Sequence, residues 1–265
     1  MLPRALLLHA SGTNRDHDAA RALTLSGAQP EIVPLPVLRT RRVRWADYQL
    51  LVIPGGFSYA DALGAGKLLS LDLQVYFGEE VHAFVDSGKP VIGICNGFQA
   101  LVRAGLLPGA TRRGTRESLE EIPATLTHNA NGRFECRWVT LAPGSSACVW
   151  TRDLAEPIQC PVAHGEGSFV LAEPAQLTRL RDRCQIALTY VQPDGRPADG
   201  AYPFNPNGSA GDVAGVCNLD GNVLGLMPHP ENHVLEYQHP RWTRGERGGL
   251  GLPLFANGVR HATQL

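Results

Sequence analysis

The chain has 265 residues, 43% hydrophobic and 18% charged, with 24 basic side chains against 25 acidic ones for a formal net charge of -1. That balance offers no strong field to recruit nucleic acid or an anionic lipid surface, and the apolar share is enough for a sizeable core, which excludes a disordered chain. The 29 glycines and 20 prolines exceed the ~12% of average usage and imply many turns between short elements, so function is expected on loops.

No apolar run approaches the ~18 residues of a membrane span. The opening stretch, Met1 to Ala10, breaks at His9 and Ser11 before a signal-peptide core develops, so it is read as a first strand and the chain is expected to be cytoplasmic. The six cysteines, Cys95, Cys136, Cys148, Cys160, Cys184 and Cys217, are never closer than 12 residues apart, which excludes a C-x-x-C zinc or redox pair. Most are expected to be buried free thiols.

In chain order, Ala5 to His9 predicts a buried parallel strand, followed after Thr13-Asn14 by a helix from Asp16 to Ser26. A second strand is predicted at Leu50 to Ile53, then helices near Asp61 to Leu73 and at Glu79 to Ser87, and a third strand at Val91 to Ile94. The second half changes character. Apolar segments at Glu135 to Leu141, Ile158 to Val162, Ile186 to Val191, Val213 to Cys217 and Val223 to Met227 are separated by turn residues, with Asp220-Gly221-Asn222 read as a hairpin turn. The alternation predicts an α/β fold with a three-layer, doubly wound, mostly parallel sheet and an antiparallel hairpin extension, without an evident domain boundary. Ligands of such sheets bind beyond the carboxyl ends of the strands. In the tail, Leu252 to Phe255 is expected to dock back on the body.

The most informative segment is Gly93-Ile94-Cys95-Asn96-Gly97, where a strand runs into G-x-C-x-G and then a helical pattern. This is a nucleophile-elbow arrangement with sulfur in place of oxygen; the thiol sits at a helix N-terminus, whose dipole favours thiolate. Taken alone, the pattern fits a buried cysteine at a strand end equally well. An attacking thiolate needs donors for the oxyanion: the Asn96 N–H is one, and the turn Pro54-Gly55-Gly56-Phe57 after the second strand offers another. In Met227-Pro228-His229-Pro230-Glu231 the prolines impose an extended stretch, so residues two apart face one way and the Glu231 carboxylate lies beside the His229 imidazole. That pairs a base with an orienting acid, against the alternative of a proline-rich surface turn.

Metal binding by His229, Glu231 and His233 is a rival, but the prolines exclude helical H-E-x-x-H geometry and no third-ligand cluster is nearby, so no metal is expected. Gly64-Ala65-Gly66-Lys67 lacks the first glycine and the hydroxyl of a P-loop. Asn207-Gly208-Ser209 is read as a turn, and Arg39, Arg41, Arg42 and Arg44 as a solvated basic face.

With these motifs the chain resembles class I glutamine amidotransferases, and among them the glutaminase components of phosphoribosylformylglycinamidine synthases. The resemblance rests on Gly55-Gly56-Phe57-Ser58-Tyr59, the cysteine elbow through Gln99, Asn131 to Glu135, Ala163-His164-Gly165-Glu166-Gly167, Asn205 to Ser209, and Gly221 to Glu231. It implies one amidotransferase domain over residues 1–265, with L-glutamine as substrate. Cys95 is then the nucleophile, His229 the general base and acid, Glu231 its orienter, and Gly56 and Asn96 the oxyanion donors. Gln99, Glu166, Gly167 and Ser168 are implied as the grip on glutamine. The implied partner is an ATP-dependent synthetase subunit, with a small third subunit also suggested; ATP and magnesium belong to the partner and no cofactor to this chain.

Three positions depart from the family pattern: Arg15 after Thr-Asn, Ala60 in place of glycine after Ser-Tyr, and Phe169 after Gly-Ser. None belongs to the triad. The tail through Trp242-Thr243-Arg244 and Leu254 to Asn257 is similar to the longer glutaminase form. Two rival readings are a non-catalytic subunit that braces the synthetase, which is free to lose the triad, and a stand-alone cysteine hydrolase of related fold, which does not need Pro-His-Pro-Glu.

Overall fold

The computed structural model describes residues 1–109 and 122–265. The elements in chain order are β1 (Arg4–His9), α1 (Asp16–Leu25), β2 (Gln29–Pro34), α2 (Leu35–Arg39), β3 (Leu50–Ile53), α3 (Lys67–Val75), α4 (Gly78–Asp86), β4 (Val91–Ile94) and α5 (Asn96–Arg103). They continue as β5 (Ala124–Thr127), β6 (Glu135–Pro143), β7 (Ile158–His164), β8 (Ser168–Leu171), α6 (Ala175–Asp182), β9 (Ile186–Val191), β10 (Val213–Cys217), β11 (Val223–Leu226) and α7 (Leu252–Thr263).

Among the described residues, nine strands form one sheet in the order β2-β1-β3-β4-β11-β10-β9-β6-β7, while β5 and β8 pair separately. The neighbours from β2 to β11 are parallel, and those from β11 to β7 antiparallel. The expected hairpin at Asp220-Gly221-Asn222 joins β10 to β11 and is the start of that antiparallel half. The crossover from β1 to β2 runs one way along the sheet and that from β3 to β4 the other. Right-handed crossovers therefore put α1 on one face and α3 and α4 on the opposite face. α7 packs on α1, and α5 on α3, completing three layers.

The parallel strands are buried on both faces, as their continuous apolar runs require: β3 and β4 have no exposed residue. β2 escaped the sequence reading because Pro30 and Pro34 and alternate polar residues disguise it; as the sheet's edge strand it tolerates prolines. The helix expected from Asp61 begins only at Lys67, because Tyr59, Ala60, Asp61 and Leu63 all have positive φ and the chain cannot enter a right-handed helix before Gly66. The tail segment Leu252 to Phe255 opens α7, whose Leu254 and Phe255 are fully buried. Four cysteines are buried and two, Cys136 and Cys184, are exposed; all six are free thiols. Among the described residues, no helix is long and apolar enough to cross a membrane.

Candidate active site

β3, β4 and β11 are adjacent, with Ile53 beside Gly93 and Ile94 beside Leu226, so the segments leaving their carboxyl ends must meet. Those segments are Gly55-Gly56, Cys95 and His229. Cys95 has φ 51° and ψ -105°, a conformation no regular element uses, and its N–H is held by Leu226 O at 2.8 Å. The glycine after the elbow is required by close packing: a β-carbon on Gly97 would fall 1.9 Å from Ile53 O. α5 can press its first turn onto β3 only because that atom is missing.

His229 follows β11, and its N–H donates to Pro161 O on β7 at 2.8 Å. Its Nδ1 lies 2.6 Å from Glu231 Oε1, and both side chains are almost wholly buried. Burial alone would lower the imidazole pKa; the Glu231 charge overrides it and, with Cys95 acting through charge and a hydrogen bond, raises it to about 10. His229 is therefore an imidazolium at neutral pH. Gly55 lies against both partners, since a β-carbon there would sit 2.7 Å from His229 Cε1 and 3.4 Å from Cys95 Cβ. Cys95, His229 and Glu231 thus come together from chain positions far apart.

The Cys95 sulfur is 3.7 Å from Ala163 O. It opens onto a cavity of about 160 Å³ lined also by Gly56, Asp61, Gln99, Phe134 and Glu166. Gly56, at φ 144°, is bridged to Thr13 through the N–H groups of its neighbours Phe57 and Asn14, an arrangement that leaves its own N–H unused by the bridge. The Asn96 side chain is fully engaged. Its Oδ1 accepts from the Ser58 N–H at 3.2 Å and from the Ser58 hydroxyl, while Nδ2 donates to Asp61 Oδ1 at 2.9 Å and Gln99 Oε1 at 3.1 Å. Gln99 Nε2 in turn donates to Glu166 O at 2.6 Å, linking the elbow helix to the loop after β7.

Of the residues expected to grip glutamine, Gln99 and Glu166 line the cavity, whereas Gly167 and Ser168 are buried and do not line it. Asn129 explains that placement. Its Oδ1 accepts from Gly167 N–H at 3.0 Å, and Asn207 Nδ2 donates to Gly167 O at 2.8 Å, while Ser168 begins β8. Because Asn129 Oδ1 is an acceptor, the His164 Nδ1 that lies 3.1 Å from it carries the proton. Burial and the neighbouring His229 lower the His164 pKa to about 4, so it is neutral beside a charged His229.

The sequence places Gly55 only in the Gly-Gly turn and His164 only in a family motif, and points to no role for Asp61 or Asn129. Most of their contacts join residues distant in the chain, among them Asp61 with Asn96 and Asn129 with His164 and Gly167. His233 turns away from the triad, with Nδ1 2.6 Å from Gln159 O and 3.1 Å from Gly249 O, as its backbone partners require of an Nδ1–H donor. In the basic run, Arg39 pairs with Asp72 and stacks on Tyr76, and Arg44 pairs with Asp47 at 2.7 Å. A larger groove of about 550 Å³ borders this run, lined by Arg41, Arg44, Trp45 and Glu80, and contains no cysteine or histidine.

Comparison with known proteins agrees with this geometry. The chain is 55% identical to the phosphoribosylformylglycinamidine synthase subunit PurQ of Treponema denticola, covering 98% of this chain and 99% of the relative. It is 40% identical to the subunit of the same name from Dehalococcoides mccartyi, covering 99% and 98%. Its fold matches a chain in the structure of PurLQS from Thermotoga maritima with a TM-score of 0.73 and 31% identity, covering 98% of this chain and 99% of that one. A Thermotoga maritima glutamine amidotransferase shares the fold at a TM-score of 0.57 and 17% identity. A family model described as a CobB/CobQ-like glutamine amidotransferase domain matches residues 2–262, and the chain belongs to that family.

Proposed function

We propose that this chain is the glutaminase subunit of a phosphoribosylformylglycinamidine synthase, hydrolysing L-glutamine to glutamate and ammonia for an ATP-dependent synthetase subunit. The observation that carries the reading is the convergence of Cys95 with the hydrogen-bonded His229 and Glu231 at one sheet edge, in a chain 55% identical to a subunit of that name.

Cys95 stands at the N-terminus of α5 beside the His229 imidazolium and reacts as the thiolate. The thiolate attacks the side-chain amide carbon of glutamine, and the resulting oxyanion is held by the N–H groups of Gly56 and Asn96. His229 gives its proton to the amide nitrogen, the C–N bond breaks, and ammonia leaves a glutamyl thioester on Cys95. Water then attacks the thioester, with His229 taking one of its protons, and glutamate departs as the thiolate is restored. Glu231 holds the imidazole by Nδ1 and stabilises its charged form throughout.

Ammonia keeps its lone pair only while unprotonated, so a sheltered route to the synthetase subunit follows from the chemistry. That subunit uses it to turn formylglycinamide ribonucleotide into the amidine, and ATP and magnesium bind there; this chain uses neither cofactor nor metal of its own and works in the cytoplasm. A small third subunit completes the complex. Incubation with a glutamine-like diazoketone should place the adduct on Cys95 by peptide mass. Labelling elsewhere, or full glutaminase activity of Cys95→Ala in the assembled complex, overturns the reading.

A further inference from the structure

The proposed mechanism uses one of the six cysteines. Two others, Cys148 and Cys217, are buried against each other at the opposite edge of the sheet. Cys217 ends β10 and pairs with Leu224 near the start of β11, whereas Cys95 follows β4 beside the far end of β11. Cys148 belongs to the stretch after β6, where residues 144–148 form neither helix nor strand. That stretch is fastened under the β10–β11 hairpin. Val149 N–H donates to Gly221 O at 2.8 Å, Trp150 Nε1–H donates to Asn222 O at 3.3 Å, and a β-carbon on Gly221 would fall 2.0 Å from Ala147 O.

The two thiols are not packed as inert apolar groups. The Cys217 thiol donates to the Cys148 sulfur, which also receives the N–H groups of Trp150 and Thr151 and the Thr151 hydroxyl. Burial on its own would raise the Cys148 thiol, but these donors outweigh it and hold the group below its ordinary value. Cys217, the donor of that hydrogen bond and itself buried, is raised. One sulfur is thereby set up as the thiolate and the other as its proton-bearing neighbour. Cys184 O ties the two sides together, accepting from Ala147 N–H at 3.2 Å and lying 3.7 Å from the Cys217 sulfur.

We infer that Cys148 and Cys217 form a reversible dithiol–disulfide site, which a peroxide closes into a covalent staple between the stretch after β6 and the β10–β11 hairpin. The Cys148 thiolate attacks one peroxide oxygen, and the O–O bond breaks to leave a sulfenic acid on Cys148 and hydroxide, which takes up the thiol's proton as water. Cys217 then gives up its proton and its sulfur attacks the Cys148 sulfur. The S–O bond breaks, and the departing hydroxide takes that proton as a second water. Two thiols and one peroxide become one disulfide and two waters. Sulfurs already in hydrogen-bond contact need a further ~2 Å of approach to bond, and residues 144–148, outside any helix or strand, supply that movement.

The test is peptide mapping of the full wild-type chain. After graded hydrogen peroxide, free thiols are alkylated in denaturant and the chain is digested without reduction. The expected product is a linked pair of peptides carrying Cys148 and Cys217, lost on treatment with dithiothreitol, while Cys160, buried without such donors, is still alkylated. Because the link closes a long loop, the oxidised chain should melt roughly 5–10 °C above the reduced one. Cys217→Ser, which keeps a hydroxyl for the Cys148 sulfur, and Cys148→Ser should each abolish both the link and the shift. The inference is overturned if Cys148 and Cys217 are recovered as alkylated thiols under peroxide that has oxidised the exposed Cys136 and Cys184, if either is found linked to a different cysteine, or if the linked chain melts no higher than the reduced one.

Discussion

Gly55 faces the His229 imidazole so closely that a β-carbon built on it falls 2.7 Å from Cε1. The first glycine of the Gly-Gly turn therefore leaves room for the imidazole, and the second is the oxyanion donor of the proposed mechanism. Gly55→Ala should push the ring from its position against Cys95 and lower kcat by about 10²-fold, the effect of a displacement near 1 Å. Steady-state glutamate release checks it, and a kcat within a factor of two of wild type would show the ring has other room.

Glu231 is the charge that holds His229 protonated. A group whose native pKa is raised from 6.5 to about 10 contributes its stabilisation fully below 6.5 and loses it as pH rises through about 10. In the proposed mechanism the imidazolium is also the proton donor to departing ammonia, so kcat for glutamine should decline on the alkaline side near pH 10. In Glu231→Gln that decline should move towards 6.5, with kcat at neutral pH lower by about 10²- to 10⁴-fold. The pH profile of the two proteins is the measurement.

His164 shifts the opposite way. Its pKa falls from 6.5 unfolded to about 4 folded, so the unfolded chain binds the extra proton in that window and stability is lost as pH drops from 6.5 through 4. One such buried group accounts for roughly 3 kcal/mol across the window. Urea unfolding between pH 6.5 and 4 should show His164→Gln losing less stability on acidification than wild type, although less stable at neutral pH for want of its fitted ring.

Ala60 takes a φ of 54°, a left-handed conformation that glycine adopts without the β-carbon penalty. Ala60→Gly should relieve about 1–2 kcal/mol of left-handed strain and give back roughly 0.5–1 kcal/mol in unfolded-state entropy. The net gain, about 0.5–1 kcal/mol, should appear as a small rise in Tm with glutaminase activity retained.

How much of this was legible in the sequence differs by element. Leu50–Ile53, Val91–Ile94, Ile186–Val191 and Val213–Cys217 are strands with the bounds their apolar runs indicate, because each run is short and ends where a turn residue stops it. β2, β5, β8 and α6 leave no such mark in the sequence. β2 carries two prolines at an edge, β5 and β8 pair only with each other, and α6 has just two buried residues, Gln176 and Leu180, so none shows a strong local period. α3 starts later than its sequence suggests, since helix-forming residues from Asp61 are overruled by contacts of Tyr59 and Ser58 made across the fold.

By itself the sequence singled out the candidate groups: a cysteine between glycines at a strand end, and a histidine and glutamate locked two apart by prolines. These are local constraints, set by backbone conformations that only a few adjacent residues control. Only the tertiary structure decided that Gly55 would make space for His229, that His164 would be neutral while His229 is charged, and that Asp61 would reach the cavity of Cys95. Each of those depends on burial and on the field of residues brought from elsewhere in the chain, quantities that have no value until the sheet has closed around them.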